Sequence, residues 1–333
     1  MPYRLKRGES VPEGIRRIVQ EEIDSASDQL NHANGKKRDE AIHEARKSLK
    51  KIRGTLRLME PELGRVYRAE NTRLSELGRK LSEIRDAAAI IEVFSSLVEK
   101  YNGSLQKNAF ASIRRGLEKS KRETEERANL PRLTQRALST LRITGKRAGN
   151  WPLETDGFAA IEPGLELRYR RGRQAMAVAE KDPTPQNYHE WRKRVKDHWY
   201  HIRLLESLWT DVMRAREGSL KNLETWLGDD HNLVVLREKL DQNPEAFGEA
   251  KDLQLFATLM DQHQKELRDN ALSIGQRVYE EKPRQFTRNL EKLWDAWQNQ
   301  PDSMKEVQKE QRNGAKKQPG RATQAPARKT AVA

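Results

Sequence analysis

Two short stretches of this chain gather the side chains that could do chemistry. The first reads His43-Glu44-x-Arg46-Lys47-x-x-Lys50, followed by Arg53 and Arg57; the second reads His189-Glu190-x-Arg192-Lys193-x-x-Lys196, followed by Arg203. Cations grouped in this way bind anions. Arginine offers a planar fork to phosphate or carboxylate oxygens, and lysine a mobile point charge. Crowded side by side they repel one another while the site is empty. A polyanion relieves that repulsion and sheds its own counter-ions on binding, so affinity should fall steeply with salt.

The spacing also sets direction. On a helix turning about 100° per residue, Ile42, Ala45, Leu49, Ile52, Leu56 and Met59 share one face. His43, Arg46, Lys50, Arg53 and Arg57 share another, about 110° away, with Lys47 on its outer side. In the second stretch Tyr188, Trp191, Val195, Ile202 and Leu205, joined by His198, make the apolar face. His189, Arg192, Lys196 and Arg203 make the basic one, with Lys193 beside it. A merely solvated face lies opposite the core stripe, whereas these flank it and can border a groove between packed helices. A stripe about 21 Å long with cations about 5 Å apart suits an extended, regularly charged chain better than one compact phosphate.

The elements that must carry these stripes are helical throughout. Apolar residues recur at helical spacing along nearly the whole chain, with no sustained alternation. Ser10-Val-Pro-Glu13 reads as a capping box opening the first helix. Further helices are predicted at about 37–60, 70–100, 104–128 and 132–148, then at about 164–180, 186–208, 215–240, 246–281 and 283–299. Thr184-Pro185 and Asn243-Pro244 are start signals, and Asp182-Pro183 a break.

A shift of 146 positions lays the first stretch on the second, with eight identities between residues 43–60 and 189–206. The same shift pairs Leu74, Leu77 and Leu81 with Leu220, Leu223 and Leu227. The chain therefore reads as two copies of a helical half, 8–148 and 164–299, joined by a linker at 149–163. Residues 300–333 differ: from Gln311 onward there are six Lys/Arg, no acid and no large apolar side chain, the composition of a disordered basic tail. Setting those six aside lowers the net charge from +14 to +8, so the body is basic in its own right.

Composition closes off several classes. With no cysteine there are no disulfides, thiolate metal sites or cysteine nucleophiles. The amino-terminal MPYRLKRGES has no apolar core of a signal peptide, and no stretch approaches the roughly 20 apolar residues of a membrane span. A cytoplasmic protein without membrane contact is the expectation. Neither His-Glu pair has a second histidine four residues on, so the zinc-protease pattern fails, and no metal or other cofactor is expected. No phosphate-binding glycine loop, nucleophile elbow or kinase signature appears, so no catalytic residues are assigned. His43 and His189, each beside several cations, are expected to be neutral near pH 7 and to donate a hydrogen bond rather than add charge.

Nucleic acid is the alternative partner. Trp191, Trp199, Tyr188 and Tyr200 interleave with Arg and Lys as a stacking platform would, although the first stretch has no such aromatics. A scaffold that recruits acidic proteins is a third reading. Oligomeric state is left open by the sequence.

The paired H-E-x-R-K-x-x-K segments, each with an arginine seven residues after the lysine, resemble the CHAD family, the conserved histidine α-helical domain. Arg85-Asp86 and Leu227-Gly-Asp-Asp-His231-Asn resemble its paired acidic elements. Tyr169-Arg-Arg-Gly-Arg-Gln-Ala resembles the helix leading into the second histidine helix, and Ala271-Leu-x-x-Gly with Lys282-Pro-x-x-Phe286 its closing segment. The likeness spans about residues 8–299. It implies an all-α fold of two pseudo-symmetric four-helix-type bundles around a basic central channel, inorganic polyphosphate as ligand, and association with polyphosphate granules. By position it implies a ligand set of His43, Arg46, Lys47, Lys50, Arg53, Arg57, His189, Arg192, Lys193, Lys196 and Arg203, with Arg168 and Arg171 added from the Tyr169 segment. Trp199 stands where the family tends to be basic, and Asn232 where an aspartate is expected. The E-x-E-x-K signature of the triphosphatase domain often fused to family members is not found.

Overall fold

The structure is a computed structural model describing residues 3–32, 38–104, 108–127 and 129–300, and every regular element among them is a helix. In chain order these are α1 (Val11–Asn31), α2 (Arg38–Leu58), the single turn α3 (Glu60–Leu63), α4 (Arg65–Lys100), α5 (Ala111–Arg127) and α6 (Leu130–Ala148). Then follow α7 (Phe158–Lys181), α8 (Pro185–Leu204), α9 (Thr210–Gln242), α10 (Ala250–Val278) and α11 (Pro283–Gln298). The basic tail lies outside the described residues, as do the side chains of Arg85 and Asp86. No helix among the described residues is long and apolar enough to cross a membrane.

Local chemistry starts the helices where the sequence reading placed several of them. The Ser10 hydroxyl accepts from the Glu13 amide at 3.3 Å and the Glu13 carboxylate accepts from the Ser10 amide at 3.1 Å, the reciprocal box that satisfies donors at a helix start. Thr184 caps α8 by accepting from the Asn187 amide, with Pro185 in the first turn.

Three boundaries differ from expectation. The linker ends at Gly157, whose φ of +67° suits glycine, and α7 runs straight through Pro163. Phe158, Ala160, Ile161 and Leu165 are buried, and that burial offsets the hydrogen bond the proline cannot donate. Asn243-Pro244 opens only a 3-10 turn; Gly248, at φ +125°, turns the chain before α10 starts at Ala250. Instead of one helix over 104–128, a 3-10 turn at Asn102–Ser104 precedes α5, and Phe110 drops into a core just before it.

Each half packs alike. α1 lies against α2 and α6, α2 against α4, and α4 against α5; α7 lies against α8 and α11, α8 against α9, and α9 against α10. The bounds of α2 and α8 also agree to within a residue or so at the 146-residue offset. The predicted apolar faces are buried in full, from Ile42 to Met59 and from Tyr188 to Leu205.

The buried apolar side chains nonetheless divide between the two ends of the long helices rather than between the halves. One cluster joins α1, α2, α6, α7, α8 and α11 with the amino-terminal portions of α4 and α9 and the last turns of α10; a second joins the far ends of α4 and α9 with α5 and the rest of α10. Both cores therefore contain residues of both halves. The halves also meet directly through α2 against α8 and α4 against α9. Gly54 makes the α2–α8 approach possible: a Cβ there would stand 2.8 Å from Tyr200 Cβ. Position 200 is the one that the offset equates with position 54.

Candidate functional site

Because α2 and α8 meet through equivalent positions, their basic stripes are brought face to face. The helix faces sort as their angles predicted: His43, Arg46, Lys50, Arg53 and Arg57 are half-buried, as are His189, Arg192, Lys196 and Arg203. Lys47 and Lys193 point outward, about half exposed, and pair with Glu44 and Glu190 within their own helices.

The centre of the site is a knot of positive charge. Burial, then the neighbouring Lys196, Arg46 and Arg192, push the Lys50 amine down to about 7. Burial and Arg192 likewise push Lys196 down to about 8, against the pull of Glu224. Among the described residues no hydrogen bond or ion pair holds the Lys50 ammonium. Arg46 donates to the Gly78 carbonyl at 3.0 Å and to the Ser82 hydroxyl on α4. Arg53 donates to the Asn71 side chain at 3.1 Å, and burial followed by Arg57 pushes it down to about 10.

At one end of the knot the rings of His189 and His231 lie 4.2 Å apart, centroid to centroid. Burial lowers His189 and pushes His231 down to about 4, and the nearby lysines and arginines act in the same direction, so both rings are neutral at pH 7. His189 Nδ1 and Arg192 Nε are buried with no hydrogen-bond partner, a bonding capacity the described protein leaves unused. Among the described residues no group of three or more His, Asp or Glu is placed to hold a metal.

At the other end the cations are structural. Arg57 donates to Asp197 at 2.7 Å, and Arg203 pairs with Glu217 at 3.2 Å while lying over the rings of Tyr3, Trp199 and Tyr200. The expectation that Arg168 faces the ligand is corrected: it is 2% exposed, bonded to Glu60, the Tyr67 hydroxyl and the Arg57 carbonyl, and 3.8 Å from Asp197. Its helix position points into the α2–α3–α7 junction, where carboxylates distant in sequence receive it. Arg171, 40% exposed, stands 3.7 Å from the same Glu60 at the edge of that junction.

Asp197 thus bonds the half-buried Arg57 directly and lies 3.8 Å from the buried Arg168, which also pairs with Glu60. Asp197→Ala is expected to destabilise the fold by about 3–5 kcal/mol, the usual cost of breaking a buried pair from one side, read as a lowered urea unfolding midpoint.

Sequence reasoning did not find the neutral acceptors on α4 or the carboxylates Glu217 and Glu224 on α9. Glu224 accepts from Lys196 and Lys221, both at 3.0 Å. The 146-residue offset is the signal that would have exposed them, since it sets Glu224 against Gly78 and Glu217 against Asn71.

The model of the CHAD domain family matches residues 18–241. Among solved structures, the CHAD domain from the plant Ricinus communis aligns with a TM-score of 0.63 at 17% identity, covering 84% of this chain and 96% of that one. No curated protein matches the chain in sequence.

Proposed function

The chain belongs to the CHAD domain family, and from that premise we propose that it binds inorganic polyphosphate along the facing basic stripes of α2 and α8, in the cytoplasm and on polyphosphate granules, and catalyses no reaction. The observation that carries this reading is the Lys50 ammonium. It is half-buried, repelled by Lys196, Arg46 and Arg192, and held by no counter-ion among the described residues. Such an arrangement costs free energy in the empty protein and is relieved by an anion that can reach several cations at once. A linear polyphosphate brings one charge per short repeat and needs nothing but phosphate contacts.

Burial of the aromatic side chains argues for this ligand over nucleic acid. Tyr188, Trp191 and Tyr200 belong to the core. Trp199 packs against that core with Arg203 and Lys221 over its ring. These four side chains therefore leave little aromatic face beside the cations to stack on bases, which is where single-strand binders gain much of their affinity.

The test is competition at physiological salt among long-chain polyphosphate, single-stranded DNA, RNA and an acidic polypeptide, matched in charge. Polyphosphate should displace the others, with affinity rising with its chain length. Preference for either nucleic acid, or for the polypeptide, would overturn the assignment.

The amine pKa values set a pH dependence. Lys50 and Lys196 are charged below about 7 and about 8 and lose that charge as pH rises. Bound phosphate favours the charged form, so binding takes up protons near neutrality. Affinity for long chains is expected to fall by about tenfold from pH 6 to pH 9, on the scale of one unit of differential protonation. Calorimetry in buffers of different ionisation heat would register the proton uptake directly.

A further inference from the structure

The halves differ in what their cations face. In the first, Arg53 meets the Asn71 amide oxygen, a neutral acceptor, and among the described residues no ion pair holds the Lys50 ammonium. In the second, Lys196 and Lys221 meet the Glu224 carboxylate at 3.0 Å, Arg192 stands 3.8 Å from it, and Arg203 meets Glu217 at 3.2 Å. Glu224 stands at the position equivalent to Gly78, and its side chain is only 9% exposed. Its cationic neighbours outweigh burial and hold its carboxyl down to about 2, so it is ionised throughout the working range.

We propose that Glu224 is a resident anion that occupies the second half's cation cluster, so that a phosphate chain engages the first half readily and the second only by displacing this carboxylate. This rests on the polyphosphate reading above and assigns Glu224 the role of limiting affinity. Three features support displacement. The carboxylate touches the cations of α8 from a different helix, α9. Lys221, which helps hold it, is half exposed and can turn to follow an incoming phosphate. The Lys50 ammonium, at the position equivalent to Lys196, is attracted by Glu224 but not paired with it, so the first half keeps an open cation beside the neutralised one.

Glu224→Gln keeps the side chain's shape and its capacity to accept from Lys196 while removing the charge. It is expected to tighten binding of long-chain polyphosphate about tenfold and to steepen the salt dependence by about 0.7 in logarithmic slope, the increment for one further phosphate contact. Glu238→Gln is the control: the same helix and the same change in net charge, but an exposed side chain about four turns away. A gain in affinity cannot arise from misfolding. If Glu224→Gln binds no more tightly than Glu238→Gln, or more weakly than wild type, the carboxylate positions the lysines rather than competing with ligand, and the inference is overturned while the polyphosphate reading stands. Failure of the wild-type protein to bind polyphosphate would instead sink that reading itself.

Discussion

Replacing Lys50 and Lys196 together by alanine lowers the affinity for long-chain polyphosphate by about 100-fold, and the protein unfolds at no lower temperature than wild type. The loss follows from magnitudes: a hydrogen bond to a charged group contributes about 1.5–3 kcal/mol, and two at the low end make about two factors of ten. Retained stability follows from the geometry. Burial and neighbouring cations depress both amines, so their charged forms are disfavoured in the folded chain relative to the unfolded one. That cost is fully present at pH 6 and fades as pH rises through about 7 and 8, so removing the amines relieves it most at pH 6. Glu224 keeps Lys221 and Arg192 as partners in the double variant. The informative control removes the same charge from the outward positions. Lys47→Ala with Lys193→Ala should change affinity less than about threefold, because those side chains are half exposed and already paired within their helices. Equal losses in the two double variants would mean that net charge rather than the facing stripes governs binding.

Salt is expected to act almost as strongly. If Arg46, Lys50, Arg53, Arg192 and Lys196 each neutralise a phosphate, the slope of log affinity against log salt is about −3.5, using the coefficient for single-stranded polyanions. Affinity then falls by about 100-fold between about 50 and 200 mM salt. Titration of binding across that range checks it. A slope near zero would remove the electrostatic basis of the site, and a slope unchanged by the Lys50 and Lys196 substitutions would place the contacts elsewhere.

The sequence was informative wherever a physical requirement repeats along one helix. The apolar faces of α2 and α8 were legible because burial of every third or fourth residue leaves a period, and all of those side chains are buried in the structure. The half-buried placement of Arg46, Lys50, Arg192 and Lys196 was legible for the same reason, as a stripe flanking the core. Gly54 and Tyr200, where the two helices meet, are equivalent at the 146-residue offset, although the sequence reading did not single them out.

What stayed hidden depends on partners distant in sequence. Arg168 carries the same side chain as Arg171 and lies one turn away, yet Asp197 and Glu60 enclose the first and leave the second at the rim. The carboxylates Glu217 and Glu224 on α9 were missed because their partners Arg203 and Lys196 lie on another helix, and the offset that sets them against Asn71 and Gly78 was followed along α9 only at its leucines. Pro163 misled in another way: a proline breaks a helix in isolation, but the apolar side chains around it hold α7 together. The division of the core between the ends of α4 and α9 likewise has no local signature, because each helix contributes to both clusters.

The most direct measurement is a crystal structure of the protein with a short polyphosphate chain bound. The account predicts phosphates lying between α2 and α8, within hydrogen-bond distance of Lys50, Arg46, Arg192 and Lys196, with the Glu224 carboxylate turned away from Lys196. Phosphates found instead along the outward Lys47 and Lys193, with the inner amines untouched, would contradict it.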